Sequence, residues 1–150
     1  MKQFIILLIL ATCWGFNANG QEMREKDVPT SILTHFKKKY PDSYVYEWEW
    51  KRKKLKYKAE FIQKGKKYEA YYTSEGNWLY TETDLEPHEL PQAVLDAISQ
   101  SAHAGWEIDD VEEISSPTHA RYFEVELESG HQKRTLYYLP EGTLLQGIIK

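Results

Sequence analysis

The spacing of apolar positions changes once in the first half of the chain. Ile32, Leu33, Phe36 and Tyr40 recur at helical intervals, with Thr34, Lys37 and Lys38 between them. Asp27 stands where an N-cap is expected, Pro29 suits a first turn, and Pro41 stops the helix. From Tyr44 the period becomes two. Tyr44, Tyr46, Trp48 and Trp50 alternate with Val45, Glu47 and Glu49, and Leu55, Tyr57, Ala59 and Phe61 with Lys56, Lys58 and Glu60. Tyr68, Ala70 and Tyr72 alternate with Glu69, Tyr71 and Thr73, and Asn77 to Thr81 supplies a fourth strand. Lys51-Arg52-Lys53-Lys54, Gly65 and Glu75-Gly76 mark the turns.

The same order returns further along. Val28-Pro29, Ile32, Phe36 and Tyr40 correspond to Leu90-Pro91, Val94, Ile98 and Ala102, shifted by 62. Tyr57-Ala59-Phe61, Tyr72 and Gly76 correspond to Phe123-Val125-Leu127, Tyr138 and Gly142, shifted by 66, and the Ser115-Ser116-Pro117-Thr118 loop holds the extra residues. After Gly105, strands are predicted around Trp106 to Ile114, Phe123 to Leu127, Thr135 to Leu139 and Thr143 to Ile149. The prediction is one α+β domain over residues 28–150. It is a tandem repeat of a helix plus a four-stranded antiparallel sheet (28–84 and 90–149), with both helices on one face of a continuous sheet. Residues 21–27 read as a flexible lead-in, and the face opposite the helices has no cover from this chain.

The first twenty residues have the anatomy of a signal peptide. Lys2 is followed by the apolar run Phe4 to Ala11 and by small residues at Ala18-Asn19-Gly20, placing cleavage before Gln21. The alternative is a lipoprotein anchored through Cys13, in Leu10-Ala11-Thr12-Cys13. Cleavage before Gln21 leaves no cysteine, so an exported chain would hold together through its core. The expected location is periplasmic or secreted, with no transmembrane segment after cleavage.

Charge divides the two units. Residues 28–84 carry a net +4 and residues 85–150 a net −8. Opposite charges suit either solvated faces or a dipolar surface that orients a partner.

The sequence offers no convergent catalytic set. The histidines at 35, 88, 103, 119 and 131 are far apart, no H-E-x-x-H or helical i, i+4 pair exists, and no G-x-S-x-G elbow or phosphate-binding glycine loop is present. Asp109-Asp110 with Glu112-Glu113 lacks EF-hand spacing, and alternation splits it between faces. No metal, no cofactor and no enzymatic activity are expected. Lys51 to Lys54 beside Trp48 and Trp50 could imitate a nucleic-acid patch, but export argues against that partner, and lysines at a hairpin also discourage sheet-to-sheet pairing.

Several of these residues carry a family resemblance. Val28-Pro29, Ile32, Phe36, Tyr40-Pro41, Trp48, Tyr57-x-Ala59-x-Phe61 and Gly76-x-Trp78 with Glu82, followed by Leu90-Pro91-x-Ala93-Val94, Trp106, Tyr122 to Leu127 and Glu141-Gly142, resemble the PepSY-like, beta-lactamase-inhibitor-like family of exported bacterial proteins. The resemblance implies helices on one side of a sheet whose open face grips a protein. In the beta-lactamase inhibitor protein that face holds an enzyme, and PepSY domains are linked to restraint of peptidases. The classical inhibitor has disulfides and this chain departs from it there, so no individual inhibitory residue is carried over.

The aromatic stripe is the candidate surface. Tyr46, Trp48, Trp50 and Tyr71 are expected to form part of a partner-binding face if they stand on the open sheet, and to be core if they lie under the helices. The functional expectation is a non-catalytic, inhibitor-like binding protein of the cell envelope that takes an envelope protein or peptide. The alternative is a small-ligand (lipid or glycan) binding or envelope-sensing module.

Overall fold

The computed structural model describes residues 20–147. Its elements are β1 (Gln21–Met23), α1 (Thr30–Lys39), β2 (Tyr44–Lys51), β3 (Lys56–Gln63), β4 (Lys66–Thr73), β5 (Trp78–Asp84), α2 (Gln92–Ser99), β6 (Glu107–Ser115), β7 (Tyr122–Ser129), β8 (Gln132–Tyr138) and β9 (Leu144–Leu145). The nine strands form one antiparallel sheet in chain order, β1 to β9. A sheet with every neighbour consecutive is built from hairpins and short connections, which the Gly- and Lys-rich turns provide.

Both helices lie on the same side. Ile32 and Phe36 of α1 bury against Trp48, Ala59, Phe61, Ala70 and Tyr72. Val94 and Ile98 of α2 bury against Val111, Phe123, Val125, Leu127 and Tyr138. The registers Ala59↔Ala70, Ala70↔Thr81, Thr83↔Glu113 and Glu113↔Phe123 carry one face of the sheet unbroken from one core to the other. Each helix is anchored by a glycine that must be a glycine. Gly76 (φ +94°) turns where a Cβ would stand 2.5 Å from Ser31 Oγ, and Gly142 (φ +85°) where a Cβ would stand 2.4 Å from the Ala93 carbonyl oxygen. The two glycines therefore let two strand turns close against the first turns of α1 and α2.

Three expectations change. Residues 21–23 are not a loose lead-in but the edge strand β1, whose Met23 pairs with Trp48 and joins the first core. Asp27 does not cap α1. It ends a 3₁₀ turn (Glu25–Asp27) and accepts a 2.7 Å bond from Arg24, while Pro29 holds the N-cap position. The last strand is Leu144–Leu145; positions 148 and 149 of the longer strand expected there lie outside the described residues, as do Cys13 and residues 1–19 of the leader.

The face without helices is also not uniformly wet. Tyr71, Tyr80, Ile114 and Tyr122 are buried on it, packed with Leu79, Tyr137, Leu139 and Leu145. This small third core straddles the β5–β6 seam, where the two helix-backed halves meet.

Candidate functional site: the sheet face opposite the helices

The face opposite the helices is written by the polar half of each alternation. Lys58, Glu60 and Glu69 take this side because Tyr57, Ala59, Phe61 and Ala70 take the other. Carboxylates consequently stand directly opposite one another in two rows. Glu47↔Glu60, Glu60↔Glu69 and Glu69↔Glu82 cross β2 to β5, and Asp84↔Glu112 and Glu112↔Glu124 cross β5 to β7.

The first row is held by one buried cation. Lys58, 6% exposed, lies 3.0 Å from Glu49 Oε2 and 3.2 Å from Glu69 Oε1, and also donates to Glu60. Burial alone would lower its pKa, but the hydrogen bonds to Glu60 and Glu49 and the charge of Glu69 outweigh that and raise it. Glu49 is pushed upward by burial and brought below its ordinary value by Lys51 and Lys58. Glu47 is raised by burial and by the charges of Glu60 and Glu49. Tyr71 donates to both Glu69 Oε2 (2.5 Å) and Glu82 Oε1 (3.0 Å), and burial together with these carboxylates raises its pKa strongly. Its ring stacks on Tyr80 at 4.5 Å, beneath the Lys56 ammonium.

Glu47, Glu49 and Glu60 present oxygens within 4.8 Å of one another, a spacing that suits a hard cation. The Lys58 ammonium already contacts two of the three, so the chain supplies its own cation there. The Asp109–Glu113 acidic run is divided between the faces, Glu112 pairing with Glu124 and Glu113 with Phe123, while a register shift between Ile108 and Asp110 breaks the alternation at Asp109. Asp109 bonds Lys133 at 2.7 Å, and Glu113 bonds Arg121 at 2.7 Å.

The aromatic platform does not form as one surface. Trp48, 5% exposed, lies under α1 with its ring 5.5 Å from Phe36. Trp50 points to that same side, against Tyr57 at 4.6 Å. Tyr71 is on the opposite side, but buried at 8% exposure. The cause is a β-bulge between Val45 and Glu47, which adds one residue to β2 opposite β3. Strict alternation from Tyr44 through Trp50 is broken there, and Tyr46 is released to 42% exposure on the carboxylate side. Tyr46 lines a recess of about 140 Å³ with Lys67, Glu69, Glu82, Asp84 and Glu112, where the two carboxylate rows meet. Sequence reasoning missed this recess. Its signal was the parity of Lys58, Glu60, Glu69 and Glu82, all opposite to core positions.

A single antiparallel sheet backed by helices on one side, with a charged and partly aromatic opposite face, defines an inhibitor-like binding module in shape. The chain belongs to the family described as "putative beta-lactamase-inhibitor-like, PepSY-like", whose model matches residues 14–61 and 55–146. It is similar to the crystal structure of a BLIP-like protein from Bacteroides fragilis, with 34% identity, a TM-score of 0.68, and coverage of 79% of this chain and 83% of that one. A DUF2874 family protein from Bacteroides ovatus shows 26% identity and a TM-score of 0.68, with 79% and 84% coverage. A protein from Bacteroides eggerthii described as "putative periplasmic" shares the fold at 23% identity and a TM-score of 0.65, with 79% and 86% coverage. No curated protein matches the chain. Among the described residues, no helix is long and apolar enough to cross a membrane.

Proposed function

We propose that this chain is an exported, non-catalytic binding protein that grips a protein or peptide partner on the sheet face opposite its helices. The observation that carries this reading is the one-sided architecture. Both helices are spent on one face, and the other displays carboxylate rows and the bulge-released Tyr46. The family supports an inhibitor-like role, and the leader-like residues 1–20 with the neighbour described as periplasmic support an envelope location. Within the candidate set, Tyr46 is the anchor at the surface, Tyr71 the residue that orders Glu69 and Glu82, and Trp48 and Trp50 the support beneath.

We further read the architecture as a doubled unit. Ser31 and Ala93 differ by 62 and Gly76 and Gly142 by 66, and the same pairs meet in both halves. The small-ligand alternative has one observation in its favour, a cleft of about 390 Å³ lined by Lys56, Leu79, Tyr80, Pro117, His119 and Tyr122. The broad carboxylate face favours the polypeptide.

The test is affinity capture from envelope extract with wild type, Tyr46→Ala/Asp84→Ala, and a helix-side control, Thr34→Glu. The proposal expects a partner recovered by wild type and the control and lost from the double variant. Loss from the control alone overturns it.

A further inference from the structure

The basic run of the β2–β3 hairpin takes little part in the carboxylate network. Lys51 is paired with Glu49, but Arg52, Lys53 and Lys54 are exposed and make no ion pair among the described residues. Lys51, Lys53 and Lys54 line a hollow of about 340 Å³ whose aromatic wall is Tyr71. Tyr71 stacks on Tyr80 at 4.5 Å, and Tyr80 in turn walls the cleft of about 390 Å³ with Leu79, Pro117 and Tyr122, so the two hollows adjoin across that stack. Lys56 stands at the join, its ammonium 6.0 Å from the Tyr71 ring and 5.0 Å from the Tyr80 ring. Leu55 belongs to the same turn. It is 66% exposed at φ +50°, in the left-handed region that L side chains rarely adopt. An exposed leucine in a strained backbone, beside unpaired cations, points to a partner that brings apolar and anionic groups together. The open face also changes sign along its strands. From Lys56 at the hairpin end, β3 presents Lys58 and then Glu60, which faces Glu47 and Glu69 across the sheet. Lys56 and Glu60 are four residues apart, about 13 Å in a strand. An anionic group is therefore drawn to the hairpin end rather than to the middle of the sheet.

We propose that the hairpin end of this face takes an acidic polypeptide segment, with an Asp or Glu carboxylate seated among Lys51, Lys53 and Lys54 and a neighbouring large apolar side chain in the cleft between Tyr80 and Tyr122. The inference rests on the open face being the docking surface and adds the partner's chemistry and its place along the strands. A carboxylate is a group that several ammonium donors can share through charge-assisted hydrogen bonds. An extended chain brings side chains to one side every second residue, about 7 Å apart, which suits two hollows separated by a pair of stacked rings. Binding weakens as salt rises, because the cations are exposed.

The experiment titrates the folded full-length protein with two synthetic peptides, one built on glutamate-glycine-tryptophan-glycine-glutamate and one with glutamine in place of both glutamates. Isothermal calorimetry gives the affinities and amide chemical-shift changes give the location. The glutamate peptide is expected to bind about tenfold more tightly than the glutamine peptide, as several part-exposed charge contacts would give. Its shifts should centre on Lys53, Leu55, Tyr71 and Leu79. Arg52→Gln/Lys53→Gln/Lys54→Gln should lose that preference, while Lys26→Gln/Lys38→Gln/Lys64→Gln, with the same net charge, should keep it. Circular dichroism confirms that both triple variants fold. Equal binding of both peptides on this face overturns the charge inference and leaves the docking face standing. Shifts confined to α1 and α2 overturn both. No binding of the glutamate peptide, equal loss in the two triple variants, or capture by phosphatidylglycerol vesicles without binding of the peptide overturns the inference.

Discussion

Replacing Lys58 by methionine tests the electrostatic account of the carboxylate face. Methionine keeps the length and apolar stem of the side chain and removes the charge. The ammonium it removes lies 3.0 Å from Glu49 and 3.2 Å from Glu69 and donates to Glu60. At an effective dielectric of about 20, one pair at that distance attracts by roughly 5 kcal/mol before desolvation is subtracted. Removing one partner of a buried ion pair costs about 3–5 kcal/mol, because the remaining charge is left uncompensated. Glu49 keeps Lys51, and the Glu69 side chain is 35% exposed, so the lower end of that range applies. The expected loss at pH 7 is about 3 kcal/mol, a large part of a typical domain stability of about 5–15 kcal/mol. Urea unfolding followed by circular dichroism measures it. The sign of its pH dependence is distinctive. Without Lys58, the carboxylates it contacts are left with less compensation when ionised, and protonation relieves that cost. The loss is therefore full above the unfolded carboxylate range and shrinks as pH falls into it. A loss below about 1 kcal/mol at pH 7, or one equal at pH 7 and pH 4.5, refutes the reasoning, since packing alone would then explain it.

In the wild type, Lys58 with its raised pKa stabilises fully below its unfolded value near 10.5, and this contribution fades as pH rises through the folded value. Glu49 with its lowered pKa stabilises above 4.5 and loses that contribution as pH falls. Stability against pH should therefore decline on both flanks, and Lys58→Met should flatten the alkaline one. Gly142→Ala should cost at least about 2 kcal/mol, combining a left-handed backbone with a Cβ driven into the Ala93 carbonyl. Gly130→Ala, at φ +61° with open space around it, should cost about 1–2 kcal/mol, so equal losses in urea unfolding would deny that Gly142 docks α2. Trp48→Ala should lower stability by about 3–5 kcal/mol, and Tyr46→Ala by less than about 1 kcal/mol. If Tyr46→Ala were the more destabilising of the two, the assignment of faces would be wrong.

Much of this face was legible in the alternation. Ala59 and Phe61 against Lys58 and Glu60, or Val125 and Leu127 against Glu124 and Glu126, place each side chain on its side without reference to coordinates. The grouping of Tyr46 with Trp48 and Trp50 failed because period-two reasoning assumes an unbroken ladder. The inserted residue between Val45 and Glu47 is visible only in the pairing with β3, a non-local fact. β1 escaped notice for another reason. Gln21-Glu22-Met23 is too short to show a period, and it becomes a strand because β2 offers a free edge. The third core was hidden because Tyr71, Tyr80, Ile114 and Tyr122 come from four strands, and register alone brings them together.

The central claim is that the partner meets the face opposite the helices. A photoreactive benzoylphenylalanine placed singly at Tyr46, Glu112, Thr34 or Gln92 in the full-length chain, irradiated in intact cells, tests it most directly. The account predicts one discrete covalent adduct from positions 46 and 112 and none from 34 and 92 on the helices. Adducts from 34 or 92, with none from 46 and 112, would contradict it.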